Sequence, residues 1–349
     1  MRQICILLAL FVSLGSEIAM AQPNDTTRIT QADWAAYKAR FVDEAGRIID
    51  DANGNISHSE GQGYGLLLAY LANSKADFDL IWSFTRTEFI IRDDGLAAWK
   101  WEPGTKPHIT DINNASDGDI LIAYALALAG SAWGRADLTQ NAELMIQSIG
   151  KFNVIDNQGR LLLLPGSSGF SQTDRDDGPV INLSYWVFEA FPHFAAIDKT
   201  VDWNKLSDAG ISLLDESGGG AGTLPADWLS AKTRLRPAKG FKAEFGYNGL
   251  RIPLYLMRAG LTDRKRLAQL RHLMAPDGTN LAVIDVSNGI VTETLADPGY
   301  IIIPALIDCV LERKKLPDSV KTFSPTLYYP STLHLLSLSF AHSQHPECL

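Results

Sequence analysis

The sequence predicts an all-α protein with minor β structure, in which fully buried helices alternate with half-exposed ones. Three observations carry that reading. Apolar residues recur at three- and four-residue spacing along most of the chain, one long segment is apolar on every face while its neighbour is amphipathic, and strand-like alternation is confined to short stretches. A buried helix followed by an amphipathic one is what a double ring of helices requires.

The chain opens on what reads as a removable leader. Arg2 supplies a positive start, residues 4–14 an apolar stretch, and Ala19-Met20-Ala21 a small-x-small cleavage site before Gln22. Residues 1–21 are therefore expected to be a signal peptide, and 22–349 a single domain secreted or held in the periplasm. Trp34, Tyr37, Phe41, Ala45 and Ile48 form one stripe on a helix of roughly 17 residues. Further helices are expected over 62–73, 77–91, 117–130, 137–150, 184–196, 204–214, 249–259, 263–273, 298–313 and 331–342. The segment 117–130 is the one apolar all round, and 137–150 is its amphipathic neighbour. Leu281–Val286 and Ile290–Leu295 flank Ser287-Asn288-Gly289 and read as a hairpin, since Asn-Gly supplies the positive φ that a tight turn needs. Leu161–Leu164 reads as another short strand. Gly218-Gly219-Gly220 reads as a loop, and no Ser/Pro/Gly-rich linker divides the chain.

Composition narrows the function. A net charge of −9 and a pI near 5.3 argue against nucleic acid, which calls for a basic surface. No stretch after the leader is long and apolar enough to span a bilayer. Phosphate-cradling glycine loops and metal-ligand patterns are absent, so no cofactor and no metal are expected. The eight Trp and ten Tyr residues suit an enzyme acting on a neutral substrate such as a sugar chain, although most aromatic rings fill cores. Cys5 leaves with the leader; Cys309 and Cys348 can be bridged or free.

Two polar clusters open apolar helices. In Ser57-His58-Ser59-Glu60-Gly61-Gln62-Gly63-Tyr64-Gly65, a carboxyl is pressed among glycines and a tyrosine. Burial disfavours the charged form of a carboxyl, and a general acid has to hold its proton near neutral pH. Glu60 serves equally well as a helix cap on this evidence. The second cluster, Asp111-Ile112-Asn113-Asn114-Ala115-Ser116-Asp117-Gly118-Asp119, holds more carboxylates and amides than a cap at Ser116 or Asp117 needs. Those groups suit binding of sugar hydroxyls; their order does not match an EF-hand calcium loop.

These motifs resemble glycoside hydrolase family 8. The likeness continues through Phe78-Asp79-Leu80-Ile81-Trp82, Asn182-Leu183-Ser184-Tyr185, Pro225-Ala226-Asp227-Trp228, Gly246-Tyr247-Asn248-Gly249-Leu250-Arg251-Ile252-Pro253-Leu254 and the run from Tyr328 to Leu336. It covers nearly all of 22–349 in order and looks most like endoglucanases associated with bacterial cellulose synthesis, of the rhizobial type. The resemblance implies an (α/α)6 barrel of six inner and six outer helices, and hydrolysis of β-1,4-glucan with inversion. It implies two catalytic residues, Glu60 as proton donor and Asp117, which holds the sugar at the cleavage point and is also labelled the nucleophile in family patterns. It also implies a cleft lined by Tyr64, Trp101, Asn114, Tyr185, Trp228, Tyr247 and Asn248, with Arg251 orienting a carboxylate. A link to cellulose synthase or export machinery would follow.

One motif departs from the family. Its usual general base is the aspartate of Tyr-Asp-Ala-x-Arg-x-Pro, and here that position is Asn248. A neutral amide cannot take a proton from water. The base is then Glu244, the loop Asp174-Arg175-Asp176-Asp177, Asp227 or Asp117, or the chain is a weakly active or non-catalytic glucan binder. Chitosan, xylan and mixed-linkage glucan are alternative substrates that the resemblance permits.

Overall fold

In the computed structural model, residues 28–217 and 223–349 are described; the expected leader, Cys5 and the glycine run 218–220 lie outside them. Among the described residues are twelve α-helices. They are α1 Gln31–Phe41, α2 Ser59–Leu71, α3 Lys75–Phe84, α4 Ser116–Trp133, α5 Ala136–Asn153, α6 Phe191–Ile197, α7 Trp203–Ser217, α8 Ile252–Arg258, α9 Arg264–Met274, α10 Pro298–Glu312, α11 Asp318–Lys321 and α12 Tyr328–Gln344. The even-numbered helices form an inner ring: α4 packs on α2 and α6, α10 on α8 and α12, and α12 returns to α2. The odd-numbered helices lie outside them, α3 against α2, α5 against α4, α7 against α6 and α9 against α10. This is the (α/α)6 barrel.

The sequence explains which helix goes where. In α2 every residue but Glu60 is buried, and α4 is buried from Ser116 to Ala127. Only a helix enclosed by other helices can be apolar on all sides. By contrast α5 and α7 present buried stripes such as Leu138, Ala142, Met145, Ile146 and Ile149 to the inner ring and polar residues to water. Glycines set how closely the inner helices approach. A Cβ on Gly63 would lie 3.0 Å from the Ile122 backbone nitrogen, and one on Gly118 would lie 2.6 Å from that of Glu60. That second contact brings the first turns of α2 and α4 together.

Strands are short: β1 Ser57–His58, β2 Lys100–Trp101, β3 Val154–Asn157, β4 Arg160–Leu163, β5 Val180–Ile181, β6 Leu229–Ser230, β7 Arg236–Pro237, β8 Glu244–Phe245, β9 Leu281–Asp285 and β10 Ile290–Leu295. The expected hairpin is β9–β10, and β8 joins its other edge. The strand expected at 161–164 is β4, paired with β3.

Several boundaries differ from expectation, each for a local reason. The first helix stops at Phe41, short of Ala45 and Ile48. The Asp43 carboxylate accepts the backbone N–H groups of Ala45 and Arg47, and Gly46 takes a φ of 92°, so a turn replaces the last helical turns. The expected 184–196 helix divides into a 3-10 turn at Leu183–Tyr185 and α6, whose start carries Pro192. Pro disfavours a helical residue before it. The 77–91 segment ends in a wide π turn at Thr85–Phe89. Cys309 and Cys348 are joined, tying the chain end to the last turn of α10. No helix among the described residues is long and apolar enough to cross a membrane.

Candidate active site

The first turns of α2, α4 and α8 converge at one end of the inner ring, and each delivers one charged side chain. Arg251 lies at the junction of a 3-10 turn with α8 and is buried. Its Nη1 donates to Glu60 Oε1, its Nη2 to Asp117 Oδ2 at 2.6 Å, and its Nε to the Ser184 carbonyl at 3.3 Å. The guanidinium also sits over the Tyr185 ring, 5.6 Å from its centre. One cation thus bridges two carboxylates that are far apart in sequence.

The two acids occupy different surroundings. Glu60 is 19% exposed and forms part of the wall of a cavity of about 440 Å³, together with Asp50, His58, Tyr247, Asn248, Arg251, Tyr300, Tyr328 and Tyr329. Asp117 is buried behind it. Burial pushes its carboxyl up to about 7, the Glu60 charge pushes the same way, and Arg251 with the Gly118 N–H pulls back.

Neither acid is a simple cap. The α2 cap is His58, whose Nδ1 accepts the Gly61 N–H at 2.9 Å, and α4 has no side-chain cap at all. Burial alone would lower the His58 pKa. The hydrogen bond to Asp50 and the charges of Glu60, Asp50 and Asp117 outweigh it, so the net shift is upward.

Asn248 stands on the cavity wall, and its amide and backbone N–H groups both donate to Asp227 Oδ2 at 3.3 Å. Asp227 Oδ1 accepts the Gly246 and Gly249 N–H groups, each at 2.9 Å. Four donors fill the acceptor positions of that carboxylate. Asp227 therefore clamps the 246–249 turn that carries Asn248 and leads into Arg251.

The other expected residues separate into two groups. Tyr247 is exposed at the cavity rim with its hydroxyl on Glu293 at 2.8 Å, and Tyr185 lies under Arg251. Tyr64 is wholly buried behind Arg251, where its hydroxyl meets that of Tyr255. Asn114 is buried, and its amide is committed to Asp119 and Asn153. Trp101 stacks on His108 at 4.1 Å and carries Arg47 over its ring at 4.8 Å, with its indole N–H directed to Glu88. Trp228 is held between Phe170 at 5.6 Å and Phe241 at 4.6 Å, with Tyr185 edge-on at 6.0 Å. The flat faces of Trp101 and Trp228 are thus occupied by the protein itself. Glu244 sits on β8 with Lys242 3.8 Å away and does not line the cavity. In the acidic loop, Asp174 accepts from Ser171 while Asp177 pairs with Arg175 and the Lys239 N–H, so both hold the loop's own shape.

Sequence reasoning passed over His58, Tyr255, Tyr300 and Tyr329 as site residues. His58 and Tyr329 were visible in the motifs quoted above, whereas Tyr255 and Tyr300 carried no local signal that distinguishes the site from the core. Among the described residues no cluster of three metal-ligating side chains exists.

Comparison with known proteins agrees with this geometry. The chain is 38% identical over 228 residues to an endoglucanase of Cellulomonas uda, covering 65% of this chain and 63% of that protein. It is 34% identical over 303 residues to a probable endoglucanase of Novacetimonas hansenii, covering 85% and 86%. The structure matches endoglucanase Cel10 of Klebsiella pneumoniae with a TM-score of 0.80 at 33% identity, over 90% of this chain and 99% of that one. It matches the endo-β-1,4-glucanase CMCax of Acetobacter xylinum with a TM-score of 0.79 at 30% identity, over 91% and 98%. The profile of glycosyl hydrolases family 8 fits residues 7–343. A helical double ring with Glu60 and Asp117 joined through Arg251, and a family profile spanning nearly the whole chain, lead to one conclusion: this protein belongs to glycosyl hydrolase family 8.

Proposed function

We propose that the protein is an endo-1,4-β-glucanase that cleaves β-1,4-glucan with inversion, Glu60 giving its proton to the leaving glycosidic oxygen. The observation that carries this reading is the placement of Glu60 on the cavity wall with one oxygen held by Arg251 and the other, Oε2, open. Tyr247, Tyr300 and Tyr329 line the same cavity and offer rings for sugar faces. Residues 22–349 make up the catalytic unit in this reading.

Inversion also requires a carboxylate that takes a proton from the attacking water. Asp227 has its acceptor positions filled, and Glu244 stands outside the cavity. Asp117 also lies behind the cavity wall, but Arg251 ties it to Glu60, and among the described residues it accepts from Arg251 and the Gly118 N–H alone, which leaves acceptor positions free; we therefore assign the water to it. Protonated Glu60 removes the negative charge that opposes ionisation of Asp117. Azide should restore turnover to an Asp117→Ala variant if Asp117 is the base, and should do nothing if it only holds the sugar.

The primary test is release of reducing sugar from carboxymethylcellulose, abolished in Glu60→Gln; undiminished release by that variant would overturn the assignment. Retention of anomeric configuration in the product would remove the inverting mechanism. Asn248 by itself favours a glucan binder without turnover, which predicts bound cello-oligosaccharide and no hydrolysis. The setting we propose is export to the periplasm or beyond, beside cellulose synthesis machinery. Cell fractionation that leaves the protein in the cytosol excludes it.

A further inference from the structure

His58 has no role in that reading, yet it lies against the proposed acid. Its Nδ1, which accepts the Gly61 N–H, is 3.9 Å from Glu60 Oε2, the oxygen that Arg251 leaves open. On the other side of the ring, Nε2 is 3.5 Å from Asp50 Oδ2. The ring meets Tyr328 of α12 edge-on at 5.6 Å. The groups facing it are Asp50 from the loop before β1, Glu60 on α2, Asp117 on α4 and the neutral Tyr328 on α12; Lys100, its cross-strand partner on β2, has its ammonium on Glu102, and Arg251 stands across Glu60. Three carboxylates therefore surround one imidazole that is only 17% exposed.

The Nδ1 atom has two uses that exclude each other. Unprotonated, it accepts the Gly61 N–H and caps α2; protonated, it loses that bond and turns a positive N–H toward Glu60 Oε2. We propose that His58 is a positioning residue for Glu60, exchanging its cap on Gly61 for an ion pair with the acid, and so sets the highest pH at which Glu60 keeps its proton. The inference rests on Glu60 being the acid. A charged His58 favours the Glu60 carboxylate, so the acid is lost at lower pH than it would be beside a neutral group. Asp50 holds the imidazolium in place and belongs to the same device.

His58→Asn separates the two uses. Asparagine is a good helix cap and can accept the Gly61 N–H, but it cannot carry charge. The alkaline limb of kcat/KM should move upward by about half a pH unit or more, which is roughly threefold more activity on that limb relative to the variant's own maximum. Asp50→Asn should move the limb in the same direction, and the double variant no further than His58→Asn. His58→Leu, which also removes the cap, should lose thermal stability and still show the shifted limb. Superimposable pH profiles for wild type and His58→Asn overturn the proposal. If Glu60→Gln is inactive and those profiles coincide, only this inference fails; if Glu60→Gln keeps its activity, the acid assignment beneath it fails.

Discussion

Helix α8 carries a buried arginine at each end, and the two have different company. At its start, Arg251 faces two carboxylates, Glu60 and Asp117. At its end, Arg258 faces one. Its Nε donates to Glu189 at 2.7 Å, while Nη1 donates to the Leu336 carbonyl at 3.1 Å and to Ser339 Oγ at 3.0 Å. The other oxygen of Glu189 accepts the Tyr124 hydroxyl at 3.3 Å. The far end is electrically balanced and its polar groups are partnered. The near end holds one acid too many, and the surplus negative charge adds to burial in pushing the Asp117 carboxyl upward. A protein can bury a matched ion pair as structure, whereas an unmatched one stores the protonation equilibrium that acid–base chemistry needs.

The comparison can be tested from both ends. The largest expected effect is at the near end. Glu60→Gln should lower kcat by about 10²–10⁴-fold, the range that a positioned acid supplies, with the melting temperature little changed. At the far end the pattern reverses. Arg258→Ala leaves Glu189 buried without its cation and should cost about 3–5 kcal/mol in denaturant unfolding, while the folded fraction retains wild-type turnover. An active-site defect in the folded Arg258→Ala protein would show that the two ends are not independent.

A smaller effect concerns the far end alone. The Cys309–Cys348 bridge closes a loop over a sequence separation of 39, so Cys309→Ser with Cys348→Ser should lose about 2–4 kcal/mol without altering the pH profile. The smallest effect returns to the near end and has the opposite sign. Burial pushes the Asp117 carboxyl up to about 7 in the folded protein, well above its ordinary value in an unfolded chain, so the native state binds more protons than the unfolded chain between those values. Stability is therefore lost as pH rises through that window. Asp117→Asn should be more stable than wild type by about 1–3 kcal/mol above neutral pH, and the difference should vanish in acid. A less stable Asp117→Asn at high pH would mean that the ion pair with Arg251 outweighs its burial.

The sequence motifs located much of the near end and none of the far end. Glu60 and Asp117 stood out because each interrupts an apolar helix start with a carboxylate among glycines or amides. Arg258 and Glu189 sit in segments where they look like ordinary surface polarity, and Tyr124 sits in the all-apolar 117–130 segment, where it looks like core. Their pairing becomes visible only when α8, α12 and the turn before α6 are brought together. The same limit applied to aromatic residues. Trp101 and Trp228 carried the expectation of open sugar-binding faces, yet His108, Arg47, Phe170 and Phe241 cover those faces. A ring's type is written in the sequence, but what lies over it is not.

By itself, the sequence determined the helical class, the division into enclosed and half-exposed helices, and the two acids that open α2 and α4. These are local properties: apolar periodicity and helix-start chemistry depend on residues a few positions apart. Tertiary structure alone decided that Arg251 joins Glu60 to Asp117, that Asp227 clamps the turn holding Asn248, and that His58 rather than Glu60 caps α2. The Arg251 partners lie 191 and 134 residues away, and only closure of the inner ring sets which charges meet. Charge balance in a buried site is a sum over elements distant in the chain. It therefore appears only after the barrel is closed.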